Sequence, residues 1–127
     1  MHLPVTILYG SLTILVTILL ALNISLYRMR NPDASHAQPV PGPLHRRVRA
    51  HGNSAEWLAV TVLLLAFLEL QGAPSLWLHL LGGAMLLARI LHSTFMLLKR
   101  RTTVLSATVI YALSLAMAAW ALVLRLH

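Results

Sequence analysis

LPVTILYGSLTILVTILLALNISLY, residues 3–27, is a continuous stretch that contains no Asp, Glu, Lys or Arg. A helix of about 20 apolar residues is long enough to cross the hydrocarbon core of a bilayer, so this stretch predicts a transmembrane helix. It differs from a cleaved signal peptide because no Lys or Arg precedes it and its cations, Arg28 and Arg30, follow it. We therefore expect it to be a retained first span.

Three further apolar stretches follow, and together the four predict an all-α integral membrane protein, an up-down bundle of four transmembrane helices. The chain is expected to form a single membrane domain, 1–127, with helices at about 4–27, 44–70, 74–98 and 103–124. Residues 31–43 contain four prolines and one glycine. This composition prevents regular structure and predicts a proline-rich loop.

The composition excludes several other classes of protein. Hydrophobic residues make up 58% of the chain and charged residues only 10%, against about 25% charged in soluble domains. The net charge of +7 does not indicate nucleic-acid binding, because most of the chain lacks the exposed cations that such a surface needs. Cysteine is absent, which excludes disulfides and cysteine-based metal sites. The seven histidines are scattered, so we expect no metal.

The loop cations predict the orientation in the membrane, because cytoplasmic loops carry an excess of Lys and Arg. The turn between the second and third helices has no cation, and Arg125 is the one basic residue near the C-terminus. Both termini are therefore expected outside and both basic loops in the cytoplasm. Eight of the ten cations lie on or beside those loops: Arg28, Arg30, Arg46, Arg47, Arg49, Lys99, Arg100 and Arg101.

Four polar residues of the second helix, Arg46, Arg49, Asn53 and Glu56, share one face. Their spacings of 3, 4 and 3 place them within an arc of about 80°. Arginine forks bind carboxylates and a carboxylate binds an amine, so this stripe suits a ligand that carries both groups. An alternative is that residues 53–56 form a capping-box helix start and the arginines reach to lipid phosphates. The spacing does not choose between the two.

In the third helix, Arg89 and His92 lie on one face, together with Met96. A charge inside a membrane is costly without a partner, and Glu56 lies at a similar depth, so we expect a Glu56–Arg89 ion pair. The alternative is that this pair only fixes the register of the two helices. Glu69 and His79 are expected to have structural roles near the outer end of the bundle.

The segment RRVRAHGNSAE, residues 46–56, resembles the helix-two signature of the MAPEG family, the membrane-associated proteins in eicosanoid and glutathione metabolism. The likeness is greatest to the bacterial members. RILH, residues 89–92, resembles the helix-three Arg-x-x-His motif of the family. Arg28 matches the basic end of helix one, and Ser106 matches a serine early in helix four.

The resemblance implies a homotrimer in the bacterial inner membrane, with glutathione as co-substrate in a site between subunits that opens to the cytoplasm. It also implies a lipophilic small-molecule substrate that arrives from the membrane lipids and is attacked by the glutathione thiolate. Ser106 is the candidate catalytic residue. The resemblance implies that the glutathione pocket is shaped by Arg28, Arg49, Asn53, Glu56 and His92. Two further candidate glutathione-binding residues come from the helix faces described above: Arg46 of the second helix and Arg89 of the third.

Two positions depart from the family pattern. Catalytic members carry an arginine directly before the helix-four serine and a tyrosine four residues after the helix-three histidine, where this chain has Leu105 and Met96. One alternative to an enzyme is therefore a non-catalytic module that binds glutathione or a lipid. A small multidrug-type transporter is a third hypothesis, but such a protein needs an acidic residue in its first span, and residues 3–27 have none.

Overall fold

The computed structural model describes residues 2–126, and in this range the chain is an all-α bundle without strands. All four long helices have the length and hydropathy needed to cross a membrane, which confirms the predicted fold class. The proline-rich segment 31–43 is not wholly irregular, as the sequence predicted, because it contains a short 3₁₀ helix, Pro32–Ser35, and the start of α2 at Gly42. Proline fits both places, since it is tolerated in the first turn of a helix. The long helices are α1, Pro4–Arg30; α2, Gly42–Leu70; α3, Ser75–Leu97; and α4, Thr103–Leu126.

The two central helices are α2 and α3, and each of them contacts every other long helix. α1 packs against one side of this pair and α4 against the other side. The core between the helices is formed by buried apolar side chains, among them Leu65, Leu68, Met85, Ile110 and Met117. Most of the remaining apolar surface faces outward, as expected for a protein whose solvent is lipid.

Glu69 and His79 tie α1 to the end of the bundle that lies away from the basic loops. Glu69 caps α1, since its Oε1 and Oε2 accept hydrogen bonds from the backbone N–H groups of Val5 (2.9 Å) and Thr6 (2.7 Å). A carboxylate at this position satisfies two of the free N–H groups of the helix start and interacts favourably with the helix dipole. Nearby, Nδ1 of His79 lies 3.3 Å from the hydroxyl of Tyr9. Both residues thus have the structural role expected.

Candidate functional site

A cavity of about 180 Å³ lies between α2, α3 and α4 in the half of the bundle nearest the two basic loops. It contains four of the residues that the sequence singled out, Arg49, Asn53, Arg89 and His92. The other residues that line it are Trp57, Met96, Thr103, Ala107, Ile110 and Tyr111. The cavity therefore combines two arginines, an amide and an imidazole with aromatic and apolar walls.

Arg89 is the most unusual side chain in this cavity, because it is only 1% exposed. Its Nη1 donates a hydrogen bond to Oδ1 of Asn53 at 3.2 Å, and its guanidinium carbon lies 5.3 Å from the centre of the Trp57 ring. Its Nε and Nη2 are buried and have no hydrogen-bond partner among the described residues. The guanidinium thus keeps unused donors in a place where no bulk water satisfies them.

The expected Glu56–Arg89 ion pair is not formed, because the partner of Arg89 on α2 is Asn53. Glu56 is exposed on the outer surface of the bundle. The reason is the orientation of α2. Its core-facing side is centred near the buried Ser54, and Glu56 lies about 160° around the helix from that residue. The polar face that runs from Arg46 to Glu56 therefore lies at the edge of the buried side of α2. As a result, Asn53 reaches the interior while Glu56 does not.

The capping-box alternative for residues 53–56 is wrong, since α2 runs without a break from Gly42 to Leu70. Asn53 and Glu56 lie in the middle of this helix and cannot be its start. Arg46 does have a structural contact, because its Nε donates to the carbonyl of Leu97 at the end of α3, at 3.3 Å. A cation at the C-terminal end of a helix is favourable.

His92 and Ser106 meet in the interior, where Nδ1 of His92 lies 2.9 Å from Oγ of Ser106. Both side chains are buried. Oγ of Ser106 is also 2.9 Å from the carbonyl oxygen of Thr103, to which it donates. With the serine proton directed to that carbonyl, Nδ1–H of His92 donates to the serine oxygen, and Nε2 of the ring is left as an acceptor.

A basic vestibule of about 480 Å³ lies beside the cavity, at the loop end of the bundle. The two spaces share Arg49, Met96 and Thr103. Among residues 2–126, no acidic side chain lines the vestibule, so it is a site of concentrated positive charge. Its other lining residues are His45, Arg46, Lys99, Arg100 and Arg101.

On the outer surface, an apolar groove of about 520 Å³ runs between α3 and α4. Ser106 and Thr102 are its polar lining residues. Since Ser106 also contacts His92, this serine stands between the groove on one side and the cavity on the other. The apolar residues of the groove are Ala84, Leu87, Ala88, Leu91, Phe95, Leu105, Val109 and Leu113.

Arg28 is placed outside this constellation. It is exposed in the last turn of α1 and lines neither the cavity nor the vestibule. Within the described part of one chain, the site is therefore built by α2, α3 and α4.

The sequence reasoning missed two aromatic residues of the cavity, Trp57 and Tyr111, whose ring centres are 5.1 Å apart. A tryptophan near the end of an apolar stretch is also typical of an anchor at the membrane interface, so Trp57 alone does not indicate a site. A tyrosine in the middle of an otherwise apolar helix was an available signal for Tyr111, because a phenol hydroxyl needs a polar partner or a wet surface. Without the packing of α4 on α2, that signal could not be assigned to a site.

Comparison with known proteins gives a match to the MAPEG family over residues 6–124. Two curated relatives, both named inner membrane protein YecN, come from Escherichia coli strain K12 and Escherichia coli O6:H1 strain CFT073. Each is 29% identical over 66 residues, which cover 52% of this chain and 47% of the relative. The chain spans about half the length of these curated relatives. No solved structure matches it.

Proposed function

Since this chain belongs to the MAPEG family, we propose that it binds glutathione and uses the thiol to conjugate a lipophilic electrophile or to reduce a hydroperoxide. The observation that carries this proposal is the convergence of Arg49, Asn53, Arg89 and His92 on one cavity that borders a basic vestibule. The relatives are named inner membrane proteins of a bacterium, and we place this protein in the same membrane.

The shape of the site suits glutathione in one orientation. The vestibule supplies the arginines and lysine that bind carboxylates, and glutathione has two carboxylates. The cavity of about 180 Å³ is too small for the whole tripeptide and takes its cysteinyl part. We therefore propose that the carboxylates lie among Arg46, Arg49 and the cations of the α3–α4 loop, and that the thiol points inward.

The ammonium group of glutathione needs an anion, and the vestibule of a single chain offers none. Glu56 lies on the outward face of α2, about 20° around the helix from Arg49. A carboxylate exposed to lipid is costly, so we propose that this face is covered in a homotrimer. Glu56 of one copy then serves the glutathione site of its neighbour, and the site is completed between subunits, where Arg28 also has room to contribute.

The assembly is tested by native mass spectrometry of the purified protein in detergent. We expect a trimer, and we expect Glu56→Gln to weaken it while Glu69→Gln, which changes the cap of α1, leaves the subunit number unchanged. A wild-type protein that is monomeric at all accessible concentrations contradicts the assembly. That result would not decide whether a single chain binds glutathione, which is measured separately by titration.

The second substrate is proposed to approach through the apolar groove between α3 and α4, which faces the bilayer and leads to Ser106. In conjugation, the thiolate sulfur bonds to the electrophilic carbon and the leaving group departs with its electron pair. In peroxide reduction, the thiolate sulfur bonds to the terminal oxygen of the hydroperoxide and the O–O bond breaks, which gives a sulfenic acid. The alkoxide that leaves is protonated by water. A second glutathione then converts the sulfenic acid to disulfide and water.

Two residues favour a second candidate function, a non-catalytic module that binds glutathione or a lipid. Leu105 occupies the position where catalytic members carry an arginine, and it is 67% exposed in the groove. Met96 lies in the cavity, at the position of the family's tyrosine. Neither side chain donates a hydrogen bond to a thiolate.

The experiment that separates the two is a turnover assay on the protein in lipid nanodiscs. Glutathione is supplied with chlorodinitrobenzene in one arm and an organic hydroperoxide in the other. If the protein is an enzyme, it forms more product than a matched assay with empty nanodiscs. We expect Arg49→Ala to reduce this rate of product formation. Saturable glutathione binding without product in either arm selects the binding module. No binding and no turnover contradict the proposed function.

A further inference from the structure

We infer that Arg89 is the cation that holds the glutathione sulfur as a thiolate, in place of the arginine that Leu105 replaces. This inference rests on the proposed glutathione site and adds the residue that performs its central chemical task. The thiol loses its proton to water in the vestibule. The resulting negative charge on sulfur then faces the N–H groups of Arg89.

The first support is the set of unused donors on Arg89. Nε and Nη2 are buried without a hydrogen-bond partner among the described residues, although the side chain is only 1% exposed. Native structures seldom leave buried donors unsatisfied, and an unsatisfied group points to a missing ligand or water. Nη1 is held by Oδ1 of Asn53 at 3.2 Å, which fixes the plane of the guanidinium so that its other donors keep one direction.

The second support is the absence of a counter-ion from the described residues of the cavity. α2 presents Asn53, Trp57 and Arg49 to this space, and α4 presents Tyr111. α3 adds His92 and Met96. None of these is an acid, and Glu56 is exposed on the outer surface. A charged side chain inside a membrane bundle is normally paired, and the cavity leaves room for an anion that comes from a ligand.

The third support is the depth of Arg89. It lies eight residues before the end of α3 at Leu97, which corresponds to about 12 Å along the helix. With both carboxylates of glutathione in the vestibule, its central cysteine points toward the cavity, which shares Arg49, Met96 and Thr103 with the vestibule. The thiol then enters the same cavity that Arg89 lines. Ser106 and His92 lie on the neighbouring wall, toward the groove through which the second substrate is proposed to come.

The size of the effect is set by the chemistry of thiols. A free cysteine thiol is only a few per cent ionised at pH 7, and an opposite charge at close range strongly favours the ionised form. Loss of one preorganised donor to a reacting anion reduces kcat by about 10²–10³. We expect the wild-type protein to hold most of its bound glutathione as thiolate at pH 7.

The first test measures the ultraviolet absorption of thiolate in glutathione bound to the purified protein. We expect the bound thiolate fraction to fall about tenfold in Arg89→Gln and to be largely kept in Arg89→Lys. Arg49→Gln is the matched control, since it removes a cation from the same cavity but at its vestibule side. Arg49→Gln should weaken the binding of glutathione, but the thiolate fraction of the glutathione that does bind should be unchanged. A thiolate fraction unchanged in Arg89→Gln overturns the inference, as does one lost only in Ser106→Ala.

The second test does not depend on the folding of a variant at position 89. The wild-type protein is titrated with glutathione sulfonate, which has a negative charge at sulfur, and with S-methylglutathione, which is neutral there. We expect at least tenfold tighter binding of the sulfonate, and loss of this preference in Arg89→Gln but not in Arg89→Lys. Equal affinities in the wild type overturn the role of Arg89 while leaving the glutathione site intact. Failure of both analogues and of glutathione to bind contradicts the proposed function itself.

Discussion

His92 and Ser106 form one of the few side-chain hydrogen bonds that join two helices inside the bundle. The distance from Nδ1 to Oγ is 2.9 Å, and both residues are buried. A buried ring nitrogen that loses its partner costs about 1–3 kcal/mol. The contact therefore contributes to the stability of the α3–α4 packing as well as to the wall of the site.

Ser106→Ala should lower the free energy of unfolding in detergent by about 1–3 kcal/mol, because it leaves Nδ1 of His92 without a partner. Ser114 is the matched control on the same helix. It is also buried, but its Oγ donates only to the carbonyl of Ile110, one turn earlier. Ser114→Ala should therefore cost less than Ser106→Ala. Equal losses in the two variants, measured by thermal unfolding, would show that the contact to His92 contributes nothing.

At the scale of single residues, spacing predicted which residues share a face but not which of them meets Arg89. The intervals along α2 put Asn53 and Glu56 on one face and suggested Glu56 as the partner of Arg89, whereas the structure pairs Arg89 with Asn53. They did not predict that Glu56 points outward, because a helical repeat gives relative angles and not the direction of the core. That direction is set by packing against α1 and α3, through buried residues such as Ser54 and Leu65.

At the scale of elements, the two tight turns of the bundle use the same C-terminal helix motif with different residues. After α2, the N–H of Ala73 bonds to the carbonyl of Leu68, and Gly72 has φ of +77°. After α3, the N–H of Arg100 bonds to the carbonyl of Phe95, and Lys99 has φ of +54°. Both are Schellman motifs, which favour glycine at the left-handed position.

The two turns predict stability changes of opposite sign. Gly72→Ala should destabilise the protein by about 1–2 kcal/mol, because a left-handed conformation is costly for a residue with a Cβ. No atom lies within 4 Å of the added carbon, so the loss comes from the backbone alone. Lys99→Gly should stabilise it by about 0.5–1 kcal/mol, because relief of the left-handed conformation outweighs the larger entropy that glycine gives the unfolded chain. Thermal unfolding of both variants checks this, and a shift of the same sign in both would contradict the assignment.

Close packing of α1 on α3 depends on a glycine. A Cβ added at Gly82 would lie 2.6 Å from Cγ of the Tyr9 ring, whereas one at Gly83 would lie 3.7 Å from the Tyr9 hydroxyl oxygen and 4.0 Å from Cε1. The first distance is a clash and the second an ordinary contact. Small residues of this kind allow helices in lipid to approach each other closely.

Gly82→Ala should therefore destabilise the bundle by about 1–3 kcal/mol through overpacking. Gly83→Ala, its neighbour on the same helix, should be neutral or slightly stabilising because alanine favours the helix. In a Tyr9→Ala background, the cost of Gly82→Ala should shrink, since the ring no longer occupies the space. Unfolding in detergent measures all three, and an unchanged cost in that background would contradict the contact.

Hydropathy predicted the four helices because each one is long enough to span the bilayer and is bounded by loop residues or charges. Their ends were harder to place, since polar residues such as Arg28 and Arg30 continue α1 beyond its apolar part. The arrangement with α2 and α3 at the centre could not be predicted. All four helices are apolar on several sides, and lipid-facing and core-facing leucines look alike in sequence.

At the scale of the whole molecule, charge is concentrated at one end of the bundle. Eight of the ten Lys and Arg residues lie in the α3–α4 connection or on the ends of α1 and α2 beside the α1–α2 connection, and the α2–α3 turn carries none. The positive-inside rule then predicts that the vestibule faces the cytoplasm. This orientation also gives the site access to the cytoplasmic pool of thiols.

The orientation is testable with single cysteines, because the chain has none of its own. Ser35 is exposed in the proline-rich loop and Ser75 is exposed at the start of α3, at the other end of the bundle. In intact cells, a membrane-impermeant maleimide should label Ser75→Cys and not Ser35→Cys. Both should react after the membrane is permeabilised. The reverse pattern in intact cells would contradict the predicted topology.

The central claim is that the basic vestibule and the cavity beneath it form a glutathione site. Its most direct test is calorimetric titration of glutathione into the purified wild-type protein, Arg49→Ala and Arg125→Ala. Arg49 lines both spaces, and Arg125 lies in the last turn of α4, at the opposite end of the bundle. We predict saturable binding to the wild type, about 10–100-fold weaker binding to Arg49→Ala as a charge-assisted contact is lost, and no change in Arg125→Ala. Absence of binding to the wild type, or equal affinity in all three proteins, would contradict the claim.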